Sequence, residues 1–233
     1  MNFTKIAKLF FMCAFLLSSL FSNAQDWANL KRYQTENLEL KTPLKGEKRV
    51  VFMGNSITQG WKEKHPEFFT QNPYIDRGIS GQTTPQMLIR FRQDVIALQP
   101  KVVVILAGTN DIAGNTGPST LEMIMDNIAS MAEIAAGNKI KVVICSVLPA
   151  YDYPWRKGME PNIKIPKLNE MIKAYATQKG FVYLDYFSAM NDGNNGMKAE
   201  YTTDGVHCSS KGYDLMESMV QPAIQKALKS KQK

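Results

Sequence analysis

Short runs of apolar and β-branched residues recur along the chain. They occupy residues 49–53, 74–76, 102–107, 141–148 and 181–185. Several of them are apolar at consecutive rather than alternate positions, which is typical of strands that are covered on both faces. The pattern therefore predicts five buried strands of a parallel sheet.

Between these runs, apolar residues recur at the three- and four-residue spacing of amphipathic helices. Thr84 ahead of Pro85 predicts a helix start, and so does Ser119 or Thr120 later in the chain. Strands that alternate with helices predict βαβ crossovers, and hence an α/β fold with a three-layer α/β/α sandwich. The spacing occurs in Leu88, Phe91, Val95 and Leu98; Leu121, Ile124, Ile128 and Met131; Leu168, Met171, Ile172 and Tyr175; and Tyr213, Met216, Met219 and Val220.

The first residues do not fit this alternation. Lys5 and Lys8 precede a largely apolar run at 9–21, which is followed by small or polar residues. This order is typical of a secretory signal peptide, and the run is shorter than the roughly 20 residues of a membrane-spanning helix. We predict that residues 1–24 are removed and that residues 25–233 form a single domain. The expected location is secreted or periplasmic, without stable membrane insertion after cleavage.

Charge and cysteine content narrow the classes of partner. The formal net charge is +7, and loss of Lys5 and Lys8 would lower it by two to +5. Basic residues cluster only at the C-terminus, so no nucleic-acid partner is predicted. Cys145 and Cys208 alone do not make a disulfide framework. No zinc-type spacing of Cys and His occurs, so no metal site is predicted.

The first predicted strand leads directly into Gly54-Asn55-Ser56. Ser56 is thus expected at the carboxyl edge of the sheet, where open parallel sheets bind their ligands. A helix that starts there would direct backbone N–H groups at a developing negative charge. Taken alone, Ser56 could equally be a helix N-cap.

Asp204-Gly205-Val206-His207 follows the last predicted strand. An Asp and a His three positions apart can share a hydrogen bond that fixes the imidazole tautomer. The other ring nitrogen is then free to accept a serine proton. His207 alone could also be an ordinary surface or core histidine. The second histidine of the mature chain, His65, is expected to be exposed and uninvolved.

Two more turns follow predicted strands. Gly108-Thr109-Asn110-Asp111 offers a side-chain amide that can donate to an oxyanion, and one such donor contributes about 10²- to 10³-fold in rate. In Gly78-Ile79-Ser80-Gly81, a glycine would let the backbone approach a substrate. Plain turns explain both motifs equally well.

In this order, the four motifs resemble the signature blocks of the SGNH (GDSL-like) hydrolase superfamily, and most closely its branch akin to platelet-activating-factor acetylhydrolase. The resemblance implies a flavodoxin-like, five-stranded parallel sheet with strand order 2-1-3-4-5. The reaction that it implies needs no metal or organic cofactor. Asn55 departs from the family, which usually has Asp there. Carried over by motif, Ser56 is the nucleophile, His207 the base, Asp204 its orienting acid, and the oxyanion donors are Ser56 N–H, Gly81 N–H and the Asn110 side chain.

The resemblance predicts a serine esterase that cleaves short-chain, acetyl esters through an acyl-enzyme. Its predicted secretion points to an acetylated glycan as substrate. Residues 150–166 are expected to form a specificity loop. The sequence predicts neither a role for residues 25–47 nor the oligomeric state. Aromatic residues that could pack against a sugar or acyl group, or merely cap the core, are Trp61, Tyr151, Tyr153 and Trp155.

Other functions remain open at this stage. The same fold could serve a lysophospholipase or lipid acetylhydrolase, or a carbohydrate-binding module without catalysis. A module of that kind would be expected to lack a member of the triad. A nucleotide or phosphate binder is a further alternative, but residues 54–60 lack the ending of a P-loop and a dinucleotide-binding fingerprint.

Overall fold

The computed structural model describes residues 26–230, so the predicted signal peptide lies outside the described residues. Five parallel strands form one sheet in the order β2-β1-β3-β4-β5, which confirms the predicted fold class and strand order. The strands are β1 (Val50–Gly54), β2 (Tyr74–Gly78), β3 (Val102–Ile105), β4 (Lys141–Cys145) and β5 (Val182–Leu184).

Helices cover both faces of the sheet. Because side chains alternate across a strand, Val51 and Met53 pack into one apolar cluster and Val50 and Phe52 into the other. None of the helices between residues 26 and 230 combines the length and apolar character that crossing a bilayer requires. The helices are α1 (Gln34–Glu39), α2 (Ser56–Lys64), α3 (Pro66–Thr70), α4 (Thr84–Asp94), α5 (Thr109–Ile112), α6 (Leu121–Gly137), α7 (Pro161–Lys179), α8 (Tyr186–Met190) and α9 (Ser210–Lys229).

The strands are in close register, so their carboxyl ends meet at one edge. Gly54 lies opposite Gly78, and Met53 lies opposite Ile105. β3 and β4 end earlier than predicted, at Ile105 and Cys145. The apolar runs continue past these ends because Leu106, Ala107, Val147 and Leu148 stay buried beneath the edge without belonging to the strands.

Two helix starts differ from the sequence prediction. The cap of α4 is Thr83, which forms a capping box with Gln86, and Thr84 is already helical. α7 begins at Pro161, so residues 161–166 of the predicted specificity loop are helical. Pro166 lacks the N–H that would bond the Asn162 carbonyl, and Asn195 Nδ2 donates to that carbonyl instead at 2.9 Å. The predicted cap Thr120 is confirmed, since its side chain accepts from Met123 N–H.

The N-terminal strap, residues 26–40, packs against the edge strand β2 and against α4. The Tyr33 hydroxyl donates to the Gly78 carbonyl, and Asn37 Oδ1 accepts from Nε and Nη2 of Arg77 at 2.9 and 2.7 Å. Asn37 Nδ2 donates to Asp94 Oδ1 at 2.7 Å. Hydrogen bonds to buried polar groups thus hold this polar segment, which sequence periodicity did not reveal.

Asp76, on β2 below the strap, is a buried acid, and burial disfavours its charged form. Oδ1 accepts from Gly78 N–H at 2.9 Å and lies 3.4 Å from the Tyr33 hydroxyl, whereas the buried Oδ2 has no partner. Burial raises the pKa of Asp76 to about 7, although Gly78 N–H and the charges of Lys62 and Arg77 act in the opposite direction. The carboxyl group of Asp76 therefore binds its proton more tightly in the folded protein than in the unfolded chain.

We expect Asp76 to make the fold less stable as the pH rises. Between about pH 4 and pH 7 the folded state binds a proton that the unfolded state has released, so this group lowers the free energy of unfolding by up to about 4 kcal/mol. Urea denaturation of wild type and Asp76→Asn at pH 5 and pH 8 measures the effect. Asp76→Asn should lose less stability between the two pH values. Equal losses in the two proteins would contradict the assignment.

Candidate active site

Ser56 and His207 meet at the carboxyl edge of the sheet, although 151 positions separate them in the chain. Ser56 is the first residue of α2, directly after β1. Its Oγ lies 3.1 Å from His207 Nε2, and His207 Nδ1 lies 2.7 Å from Asp204 Oδ2. The structure thus brings together the three side chains that the sequence singled out.

Asp204 is held as an ionised acceptor. Its Oδ1 accepts from the backbone N–H groups of Val206 and His207 at 2.9 and 2.7 Å. Partial burial raises the pKa of Asp204, but hydrogen bonds from the backbone and ring of His207 and from Val206 outweigh it, so the pKa lies below its usual range. A carboxylate facing Nδ1 favours the tautomer with its proton there. Nε2 then presents its lone pair to Ser56.

The three predicted oxyanion donors lie on separate segments. Among the described residues, no acceptor meets the backbone N–H of Ser56 or of Gly81. Gly81 has φ +77°, a left-handed conformation that suits glycine. One Asn110 amide hydrogen is donated to the Gln82 carbonyl at 2.9 Å, which orients the amide and leaves its second hydrogen available.

The loop that carries Gly81 is pinned on both sides. Ser80 N–H donates to Gln59 Oε1 at 2.9 Å, and Asn115 Nδ2 donates to the Gly81 carbonyl at 3.1 Å. At the start of the loop, a Cβ on Gly78 would lie 2.2 Å from the Gln59 backbone nitrogen. Only glycine therefore lets β2 approach α2 closely enough to place this loop.

Sequence reasoning missed Gln82 and Arg90, which connect the parts of the site. Gln82 Oε1 accepts from Arg90 Nε at 2.6 Å, and Arg90 Nη2 donates to the Gly54 carbonyl at 2.9 Å. Arg90 Nη1 also pairs with Asp94 at 3.0 Å. The guanidinium thereby ties the end of the nucleophile strand to the Gly81 loop. A detectable signal was the charged pair Arg90 and Asp94, four residues apart beside the apolar positions Met87 and Phe91.

Asp111, the last residue of the Gly108 motif, also has a structural partner. It accepts from Thr84 N–H at 2.9 Å and from Thr84 Oγ1 at 2.6 Å. Burial raises the pKa of Asp111 to about 6, opposed by these Thr84 hydrogen bonds. The pairing fixes α5, and hence Asn110, against the start of α4.

The predicted substrate-binding role of Trp61 is wrong. Its side chain is only 2 % exposed and is stacked on Phe68 and Tyr213, with ring centroids 5.0 and 5.7 Å away. Trp61 Nε1 donates to Glu217 at 3.0 Å. His65 is not exposed as expected either, since its partly buried ring pairs with the same Glu217 oxygen at 2.8 Å. Both residues belong to the packing between α2 and α9.

The aromatic residues after β4 differ in their exposure and in their contacts. Trp155 is 44 % exposed, and its ring centroid lies 5.7 Å from that of His207. Tyr153 is buried, stacks beneath Trp155 at 5.1 Å, and shares a 2.9 Å hydrogen bond with Thr109. Tyr151 is exposed and lies beside Gly196. Of the three, only Trp155 offers an exposed ring next to the triad.

A small apolar cavity lies between the motifs, with a free volume of about 10 Å³. That volume holds about one water-sized group. Asn55, which has a buried Oδ1 without a hydrogen-bond partner, is the main polar side chain of its wall. The wall also contains chain neighbours of Ser56, Asn110 and His207, and its members include Ile57, Leu106, Thr109, Val147, Leu148 and Val206.

The part of the chain that the structure describes contains no cluster of side chains that could bind a metal ion. No group of three or more His, Cys, Asp or Glu side chains lies close enough to hold an ion in residues 26–230. Cys145 and Cys208 are both buried and unbridged.

Known proteins that resemble this chain in sequence or structure are described as lipases, acylhydrolases or esterases. A model described as the GDSL-like lipase/acylhydrolase family matches residues 52–215. A GDSL-like lipase structure from Bacteroides thetaiotaomicron is 53% identical, with a TM-score of 0.84 over 86% of this chain and 98% of that one. The human isoamyl acetate-hydrolyzing esterase 1 homolog is 26% identical over 78% of this chain and 83% of its own length. An acetylxylan esterase of Xylanibacter ruminicola is 26% identical over 76% of this chain and 43% of its own length.

Proposed function

The chain belongs to the GDSL-like lipase/acylhydrolase family and is a serine ester hydrolase, and on that basis we propose that Ser56, His207 and Asp204 form its catalytic triad. The observation that carries this proposal is the continuous line of contacts from Ser56 Oγ to His207 Nε2 and from His207 Nδ1 to Asp204. The family predicted from the four motifs is confirmed by the match over residues 52–215. Replacement of Ser56 by Ala and of Asp204 by Asn, with kcat as the measured quantity, tests the triad.

In the proposed mechanism, Ser56 Oγ attacks the ester carbonyl while its proton passes to His207 Nε2. Asp204 stabilises the resulting imidazolium. The negative charge on the former carbonyl oxygen is met by Ser56 N–H, Gly81 N–H and the free amide hydrogen of Asn110. His207 then protonates the leaving alcohol. Water attacks the acyl-enzyme with His207 again as base, and this step releases the acid and restores Ser56.

We propose that the small cavity beside Ser56 receives the acyl chain. Asn55 and Ile57 flank the nucleophile in the chain and Val206 precedes the base, which supports a cavity close to the reacting carbon. Its free volume of about 10 Å³, room for about one water-sized group, suits one methyl group. This size supports acetyl esters as substrates. The two curated relatives described above are also named for acetate esters.

Widening this cavity should lengthen the preferred acyl chain. Leu148→Ala removes three carbons from the wall, so the ratio of kcat/KM for p-nitrophenyl butyrate to that for the acetate should rise by about tenfold, the scale of one or two added methylene contacts. Leu98→Ala is the matched control, because Leu98 is equally buried but lies outside the cavity. A ratio that stays at the wild-type value in Leu148→Ala, or rises as much in Leu98→Ala, would refute the acyl assignment.

We further propose an acetylated glycan outside the cytoplasm as the natural substrate. The predicted signal peptide supports an extracellular or periplasmic location. The exposed ring of Trp155 lies beside His207, where the alcohol part of the ester departs, and an indole face packs well against a sugar ring. Rates on acetylated xylan, acetylated sialic acid and choline phospholipids, measured side by side, test this choice. A preference for the phospholipid would favour the lipid acetylhydrolase alternative.

A further inference from the structure

A second, larger cavity opens beside the Gly81 loop. It has a volume of about 350 Å³, within the usual size range of small-molecule sites. Four segments border it: the N-terminal strap, the loop after β2, the start of α4 and the loop after α5. We call it the strap groove. Besides Gly81, its wall includes Trp27, Asn29, Ser80, Gln86, Asn115 and Thr116.

The wall of the strap groove is polar but has little free charge. Amide and hydroxyl side chains predominate, and no Lys or Arg of residues 26–230 lines it. The one ionised side chain, Asp26, accepts from the backbone N–H groups of Leu30 and Lys31 at 2.8 and 3.0 Å. A phosphate or carboxylate ligand would find no cation here. Neutral groups that both donate and accept hydrogen bonds suit the hydroxyls of a sugar.

Trp27 gives the groove an aromatic surface. It is 43 % exposed and belongs to neither apolar cluster of the fold. Its backbone is nevertheless fixed, because Gln86 Nε2 donates to the Trp27 carbonyl at 2.6 Å. Gln82 and Gln93 hold the next part of the strap through the carbonyls of Ala28 and Leu30, each at 2.7 Å. A Trp side chain has only two rotatable bonds, so an indole that extends from this fixed backbone loses little freedom when a ligand packs on it.

Gly81, whose N–H is a proposed oxyanion donor, also lines the strap groove, so the groove borders the proposed oxyanion site. We propose that the groove is a glycan subsite, in which Trp27 packs against a sugar residue other than the one that carries the acetyl group. The enzyme then acts on acetylated oligosaccharide chains in preference to acetylated single sugars. This inference rests on the proposed glycan substrate, with Trp155 next to the acetylated residue and Trp27 farther along the chain.

Steady-state kinetics on three substrates test the subsite: p-nitrophenyl acetate, an acetylated methyl xyloside and acetylated xylooligosaccharides. Trp27→Ala should raise KM for the oligosaccharides about 5- to 10-fold, the loss expected for one aromatic contact, and leave the other two substrates within about twofold. Trp27→Phe should recover part of the loss. Leu38→Ala is the matched control, because Leu38 lies on the same strap, is 81 % exposed and does not line the groove.

The outcomes separate this inference from the proposed function. If wild type deacetylates the oligosaccharides and Trp27→Ala does so with the same KM, the subsite is overturned while the glycan substrate stands. If Trp27→Ala slows all three substrates equally, Trp27 only supports the Gly81 loop and the subsite is again overturned. If wild type hydrolyses p-nitrophenyl acetate but no acetylated carbohydrate, the glycan substrate fails and the subsite fails with it.

Discussion

Ser56→Ala should lower kcat for p-nitrophenyl acetate by about 10⁵- to 10⁶-fold, the loss seen when a triad nucleophile is removed. The substitution deletes the one oxygen that lies 3.1 Å from His207 Nε2 and leaves the backbone of α2 in place. KM should change little, because the acyl cavity and the oxyanion donors remain. A residual rate above that in water should persist for the same reason.

A fluorophosphonate probe provides a second measurement, since it labels only an activated serine. Wild type should be labelled and Ser56→Ala should not. Ser218→Ala is the matched control: Ser218 is an exposed residue of α9 whose hydroxyl donates to the Leu215 carbonyl. Its activity and labelling should equal those of wild type. Activity of Ser56→Ala within a hundredfold of wild type would mean that another residue is the nucleophile.

Asp204→Asn should lower kcat by about 10⁴-fold with a small effect on KM. The amide can still accept from the N–H groups of Val206 and His207 through its oxygen, so the turn should keep its shape. Its NH₂ group would then face His207 Nδ1 and favour the tautomer with the proton on Nε2, which cannot accept a proton from Ser56. Thermal unfolding should confirm that Asp204→Asn remains folded.

Asp126→Asn is the control for a neutralised surface carboxylate, because Asp126 lies exposed on α6. It should retain wild-type kcat. The pKa of Asp204 lies below the usual range, so its carboxylate stays ionised as the pH falls through the mildly acidic range. Asp204→Asn activity within tenfold of wild type would show that another group orients the imidazole.

For Trp61 the sequence left a core position and a substrate contact open, although the helical spacing favours the core. Ile57 and Trp61 are four residues apart on α2, and both are buried. That spacing is typical of one helix face, so a core position could have been predicted. Trp155 is different, because it lies in a loop where no periodicity separates buried from exposed positions. Its contact with His207 depends on the stacking of Tyr153 beneath it.

The sequence by itself determined the fold class and the order of the motifs. Continuous apolar runs specify buried parallel strands, and in such a sheet every strand ends at the same edge. Ser56, Gly81, Asn110 and His207 each follow a predicted strand, so their common location followed from topology. Their roles in catalysis stay predictions until the variants are measured.

Only the tertiary structure decided the distances at this edge and the position of the N-terminal strap. Ser56 and His207 lie 3.1 Å apart because two loops distant in the chain converge, which no local pattern specifies. The first part of the strap is held through the backbone carbonyls of Trp27, Ala28 and Leu30, which accept from Gln86, Gln82 and Gln93. Every residue has a backbone carbonyl, so these contacts leave no trace in the strap's own sequence.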